Sequence, residues 1–584
     1  MSRFILLMTC ILASLSLSGC ITPNATGPYG HLYTPKPPEA DQYSDFLIGR
    51  YATLTHQSEL AAETAQRAYK KTPENSFLLE RAVVSLLLAG KTKDAVDLAE
   101  FGLTKVTDIG TMTRLTIVAE EFRKKDYSEA LFRLKNGEFD VFNRMVARSL
   151  SGWAAVGVGD PEAAKTYMIE SLVGDNLFDG VNLFMLAFIY ESTDQRQEAL
   201  KTFQVVWKER MRLAVAAEQY ARLLAATGDT KSAKAIVAQF RSDIGPSPGV
   251  DDLATRLDSG EVVTPMKVSP RKGAALGLFS IGSALASQTE SELTTVYFQL
   301  ALHIDPELDA VRSLLSQAHR RAERLDDAFN TLKEISPRSV YYATSRSQMA
   351  WVRVDQNKND DAVKIVEAAY KETRDRDLAI QAGNMHFIME NYAEALTWFQ
   401  RVIDLDKAEG KESWRTFYSR GLVLDSLDRW DEAEADLLKS IELDPNKAEV
   451  LNYLGYSWVD RGENLEKAFE FIKKAVALRP DSGAIIDSLG WAYFRLGKFD
   501  LAVRYLESAA SLGTSDPVIN DHLGDAYWRT GRFIEAKYQW NHALKLETDP
   551  VKAAELKAKL ENGLDAAKPV TPVKVDDTTA AKLP

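Results

Sequence analysis

The sequence predicts an all-α chain of stacked helical hairpins, a right-handed superhelical solenoid of about 14 units, and three observations carry that expectation. The first is a small or apolar anchor at Gly49, Val83, Val118, Gly152, Ala187, Ala221, Gly282, Ser316, Ala350, Gly383, Gly421, Gly455, Gly490 and Gly524. Its spacings run from 33 to 38 residues, with a single interval of 61 between Ala221 and Gly282. The second is an alanine twelve residues after the anchor, from Ala61 and Ala95 to Ala502 and Ala536. Ala468 comes thirteen later, and only Thr294 departs from alanine. The third is a glycine turn between the two anchors, as in Leu496-Gly497-Lys498 and Thr530-Gly531-Arg532, where a left-handed residue can end one helix and start the next.

The spacing has a steric cause. A residue without bulk in the middle of the first helix lets the second helix approach, and alanine at the crossing point does the same from the other side. A lone hairpin cannot bury its apolar face, so neighbours must stack. Leu489-Gly490-Trp491-Ala492-Tyr493 with Ala502, and Leu523-Gly524-Asp525-Ala526-Tyr527 with Ala536, resemble the tetratricopeptide repeat. The resemblance implies a helix-turn-helix solenoid whose first helices line a concave, protein-binding face.

Along the chain, residues 1–19 read as a secretion signal. Arg3 supplies the positive start, and an apolar run from Phe4 to Leu17 is too short for a comfortable membrane span. Leu17-Ser18-Gly19-Cys20 resembles the lipobox of bacterial lipoproteins, which implies lipidation at Cys20. Ile21 in place of Asp then implies sorting to the outer membrane, facing the periplasm. Residues 20–42 are rich in Pro, Gly and Thr and read as a flexible tether. Residues 43–240 form an amino-terminal block of about six degenerate repeats, and residues 275–550 a second block of about eight. The 61-residue interval, with Gly245-Pro246-Ser247-Pro248-Gly249 inside it, marks 241–274 as an interruption with room for a short helix, either a linker that serves as a hinge or an inert loop insertion. Polar residues 551–567 suit a capping helix, and 568–584 repeat the character of the tether.

The chain has 584 residues and a net charge of −12, which gives no general attraction to nucleic acid. Its two cysteines, Cys10 and Cys20, both precede the repeats, so neither a disulfide nor a thiolate metal site is expected in the body. Seven histidines lack the spacing of a helical metal site. Gly90-Lys91-Thr92 fails as a phosphate loop because Ser85 stands where the earlier glycine is required, and Gly277–Gly282 misses a nucleophile elbow by one residue. The expectation is therefore a protein that is not an enzyme, with no cofactor and no metal.

Projected onto the tetratricopeptide pattern, the concave face carries Tyr418, Asn452, Tyr456, Asp487, Trp491, Phe494, Arg495, Asp521, Asp525, Trp528 and Arg529. Aromatic rings flanked by polar ends suit a peptide, the rings supplying buried area and the polar groups fixing register. The segment from Leu451 to Leu546 is similar to outer-membrane repeat lipoproteins that partner carboxyl-terminal processing proteases and deliver cell-wall hydrolases to them. That resemblance implies a membrane-anchored adaptor whose partners are periplasmic proteins, with a role in protease regulation in the cell envelope. The alternative is an assembly lipoprotein for a pilus secretin or the barrel-insertion machinery.

Overall fold

The computed structural model describes residues 42–564, except 56, 107, 173, 175, 210, 211 and 289–291. The expected leader, Cys20, the tether up to residue 41 and the tail lie outside the described residues. Thirty helices and no strand occur among the described residues. Twenty-eight of the thirty are the two arms of fourteen hairpins, from Gln42–Leu54 with Ser58–Lys71 to Pro517–Arg529 with Phe533–Leu546. The remaining two are Pro248–Asp258, inside the long interval, and Pro550–Asn562, at the expected cap.

The anchors predicted from spacing are buried in every hairpin. At Gly524 an added Cβ would sit 2.5 Å from the Trp540 ring, and at Gly455 it would sit 2.9 Å from the Ala468 carbonyl oxygen. Glycine at these two crossings is required by distance, not by helix propensity, which it lowers. No described helix is long and apolar enough to cross a membrane.

The chain divides into two compact units between Leu378 and Ala379, a boundary that falls inside the second run of repeats. The physical reason lies in the hairpin Pro270–Gln288 and Glu292–Ile304. Its first helix packs on Val141–Val158 and Asn176–Ser192, and its second on Ser76–Leu88 and Thr111–Lys124, all first helices of amino-terminal repeats. One continuous core therefore runs from Ala62 to Leu315. Small residues make the seat possible: Gly273 lies so close to Trp153 that a Cβ there would be 2.3 Å from the indole. Polar groups are matched across it as well. The Tyr297 hydroxyl donates to Asn143 Oδ1 at 2.6 Å, and His303 meets Glu120 at 2.7 Å.

Residues 241–274, expected as a linker, lie inside the first unit and bury Val250, Leu253, Leu257, Val263 and Val268. Gln219 holds the extended part through both backbone groups of Met266, accepting from its N–H at 2.7 Å and donating to its carbonyl at 3.3 Å. The interruption contains a short helix, Pro248–Asp258, as the sequence suggested, and an extended segment follows it.

Candidate docking face

In the carboxyl-terminal unit, the first helices Trp414–Ser426, Ala448–Arg461, Gly483–Arg495 and Pro517–Arg529 carry all eleven residues projected onto the docking face. Five of them are buried: Asn452, Asp487, Trp491, Phe494 and Asp525. Six are half-buried: Tyr418, Tyr456, Arg495, Asp521, Trp528 and Arg529.

The aromatic residues mostly pack between repeats. Trp491 is 4% exposed, with its ring stacked on His522 at 4.0 Å and on Phe494 at 4.8 Å between centroids. Trp528 sits against Phe533 at 4.6 Å and Trp540 at 5.3 Å. Tyr418 meets Tyr453 edge-on at 6.1 Å, and burial raises its hydroxyl pKa, with Glu449 adding to the effect. The sequence pattern marks these rings as large and periodic, but periodicity does not separate a ring that faces a partner from one that seals the next repeat.

The polar residues form latches between consecutive hairpins. Asp425 accepts from the Tyr453 hydroxyl at 2.6 Å and from Arg461 at 2.7 Å. Arg495 donates to Asp460 at 2.8 Å. Asp487 accepts from His522 Nδ1 at 2.9 Å. Burial alone would lower the His522 pKa, yet the Asp487 carboxylate, with Asp521 and Asp525 nearby, raises it overall. Asp521 and Asp525 both accept from Lys559 on the capping helix, at 2.6 and 2.8 Å, and Asp525 also accepts from Trp540 Nε1 at 2.9 Å. Lys559, His522 and Arg461 were not singled out in the sequence. Their signal was a charge on an otherwise packed helix face, which becomes legible only once the neighbouring helix is placed.

Six of the eleven are therefore only partly accessible, and of these Arg495 and Asp521 are already held by Asp460 and Lys559. In the amino-terminal unit the first helices of the second to fifth repeats, Ser76–Leu88, Thr111–Lys124, Val141–Val158 and Asn176–Ser192, are covered by the chain's own hairpin Pro270–Gln288 and Glu292–Ile304.

Residues 347–409, 418–483 and 488–553 match the model of the tetratricopeptide repeat. These segments are tetratricopeptide repeats. Over 146 residues the chain is 30% identical to the TPR repeat-containing protein PA4667 of Pseudomonas aeruginosa, covering 25% of this chain and 24% of that protein. Over 127 residues it is 31% identical to the Lipoprotein NlpI homolog of Haemophilus influenzae, covering 21% of this chain and 38% of the relative. The chain thus spans well under half the length of these curated relatives. Among solved structures, the Cut9–Hcn1 assembly of the APC/C aligns at 15% identity and a TM-score of 0.38, over 90% of this chain and 96% of the other. Yeast Tom70 aligns at 16% and 0.35, over 81% and 98%. Tetratricopeptide repeats are protein-binding scaffolds, and the hairpins of this chain have that architecture.

Proposed function

We propose that the protein is a membrane-anchored adaptor that holds periplasmic proteins together, among them a carboxyl-terminal processing protease and its cell-wall hydrolase substrates. The observation that carries the reading is the allocation of the chain. Helical hairpins take up nearly all of the described residues, and their ionisable groups on the first-helix face are spent on latches between repeats. Such a scaffold acts by presenting a surface, and repeat proteins generally work without chemistry of their own. The lipobox-like Leu17-Ser18-Gly19-Cys20 and the likeness to a lipoprotein homolog support attachment at Cys20 to the outer membrane.

Affinity capture of the full chain from detergent-solubilised envelope tests the reading. Recovery of a processing protease together with peptidoglycan hydrolases is the expected result, and it should weaken with Tyr456→Ala or Arg529→Glu. Recovery of a secretin or barrel-assembly protein instead would favour the assembly-factor alternative, and recovery of nothing specific would sink the adaptor. Cys20→Ala should move the protein from the membrane to the soluble fraction, and retention at the membrane would contradict lipid anchoring.

A further inference from the structure

The seated hairpin encloses a feature that the scaffold reading does not use. Where its second helix passes the turn of the second repeat, a crevice of about 370 Å³ opens between Gly90–Thr92, Gln299, Arg312, His319 and Arg324. The turn is Gly90-Lys91-Thr92, which fails as a phosphate loop in sequence. It reaches the crevice only because folding brings the second and eighth repeats together, and the Arg324 guanidinium donates across the gap to the Leu88 carbonyl.

Its lining carries two guanidiniums, Arg312 and Arg324, and two carboxylates, Asp327 and Glu334. Arg324 is satisfied, pairing with Asp327 at 2.7 Å in addition to Leu88. Arg312 is held less well: its side chain is 15% exposed, its Nε makes no hydrogen bond, and that Nε forms only a long ion pair with Asp309 at 3.9 Å. His319 is 3% exposed, and its ring has no hydrogen-bond partner among the described residues. Burial, with Arg324 adding to it, holds that imidazole's pKa down at about 3, so it is a neutral donor. Gln299, 9% exposed, accepts from the Thr92 hydroxyl at 3.3 Å and leaves its Nε2 beside Gly90. His303, also lining the crevice, is spent on Glu120. A buried guanidinium Nε without a hydrogen bond is costly, and a bound anion that accepts from it would offset that cost.

The charge of the anion follows from the rim. Asp327, with a side chain 44% exposed, and the exposed Glu334 add two negative charges at the mouth, which oppose a dianion more than a monoanion. We propose that the crevice binds a small monocarboxylate, with the Arg312 guanidinium taking its oxygens and Gln299 and His319 acting as neutral donors.

Calorimetric titration of the full chain with N-acetylglycine tests this. Saturable binding with a Kd on the order of 1 mM is expected. N-acetylglycinamide should bind at least about tenfold more weakly, since it lacks the charge. Inorganic phosphate should also be the weaker ligand. Arg312→Gln should cost about tenfold or more, whereas Glu334→Gln, on an exposed side chain that folding does not need, should tighten binding about threefold by removing a rim charge. Acetylated triglycine separates the sources: tighter binding than N-acetylglycine marks a peptide terminus, and weaker binding marks a free acid. Equal binding of acid and amide, tighter binding of phosphate, no saturation with any carboxylate, or an unchanged Kd in Glu334→Gln would each overturn the proposal.

Discussion

Gly273 and Gly277 lie one turn apart on the helix that seats against the amino-terminal first helices, and alanine should act on them with opposite sign. From helix propensity alone, Gly→Ala gains up to about 1 kcal/mol at an interior position. At Gly277 an added Cβ meets only Ser149 Oγ at 3.7 Å and Met185 Sδ at 3.8 Å, ordinary contact distances. Gly277→Ala should therefore stabilise, by about 0.5–1 kcal/mol. At Gly273 the Cβ would lie 2.3–2.4 Å from three atoms of the Trp153 indole, whose side chain is fully buried and has no room to retreat. Overpacking of that kind costs about 1–3 kcal/mol and outweighs the propensity gain, which is smaller in the first turn. The expected net loss for Gly273→Ala is about 1–2 kcal/mol. Hydrogen exchange over Pro270–Gln288 in the full chain reads the local opening free energy directly. Protection that rises in both variants would show that the helix is not seated on Trp153, and the occupied amino-terminal face would have to be abandoned.

Other consequences follow from the same packing. Tyr297→Phe leaves Asn143 Oδ1 buried without its donor and should cost about 1–2 kcal/mol in the same exchange measurement, with no change of helix content. Trp491→Ala removes an indole from the core of the second unit, so a loss of about 3–5 kcal/mol in urea unfolding is expected. If Trp491→Ala lost only partner capture at unchanged stability, the indole would be a docking group after all. Glu218, hemmed in where Gly249 approaches its carboxyl, is pushed up to about 7 by burial, against the opposing pull of Arg222. A raised carboxyl pKa means that the folded state holds the proton more tightly, so stability should fall as pH rises from about 4.5 to about 7. Glu218→Gln should flatten that slope and gain about 1–3 kcal/mol at pH near 8, checked by urea midpoints on either side of the window. An unchanged slope in Glu218→Gln would place the titration elsewhere.

Much of the fold was legible because a hairpin repeat writes its steric needs at fixed intervals. The alanines at helix crossings and the glycines at Gly455 and Gly524 are short-range requirements, and one sequence contains them all. What was not legible is contact between distant repeats. Gly273, Ala274, Ala275 and Gly277 read as one more first helix, and nothing local says that they seat on Trp153 and Met185 over a hundred or nearly a hundred residues earlier. The same limit explains the docking face. Spacing places Trp491 and Trp528 on the first helices, but whether an indole faces a groove or the next hairpin depends on His522, Phe533 and Trp540, which come from neighbouring helices. Gly90-Lys91-Thr92, uninformative in the sequence, gains a context only beside Arg312 and His319.

The proposed docking site is the set of first helices of the carboxyl-terminal unit, because those of the second to fifth repeats are already covered by the chain itself. A hydrogen-exchange footprint of the full chain, with and without its captured processing protease, tests it most directly. New protection over Trp414–Ser426, Ala448–Arg461, Gly483–Arg495 and Pro517–Arg529, with exchange over residues 270–304 unchanged, is the predicted result. Protection appearing instead on Thr111–Lys124 and Val141–Val158, with residues 270–304 released to solvent, would contradict it.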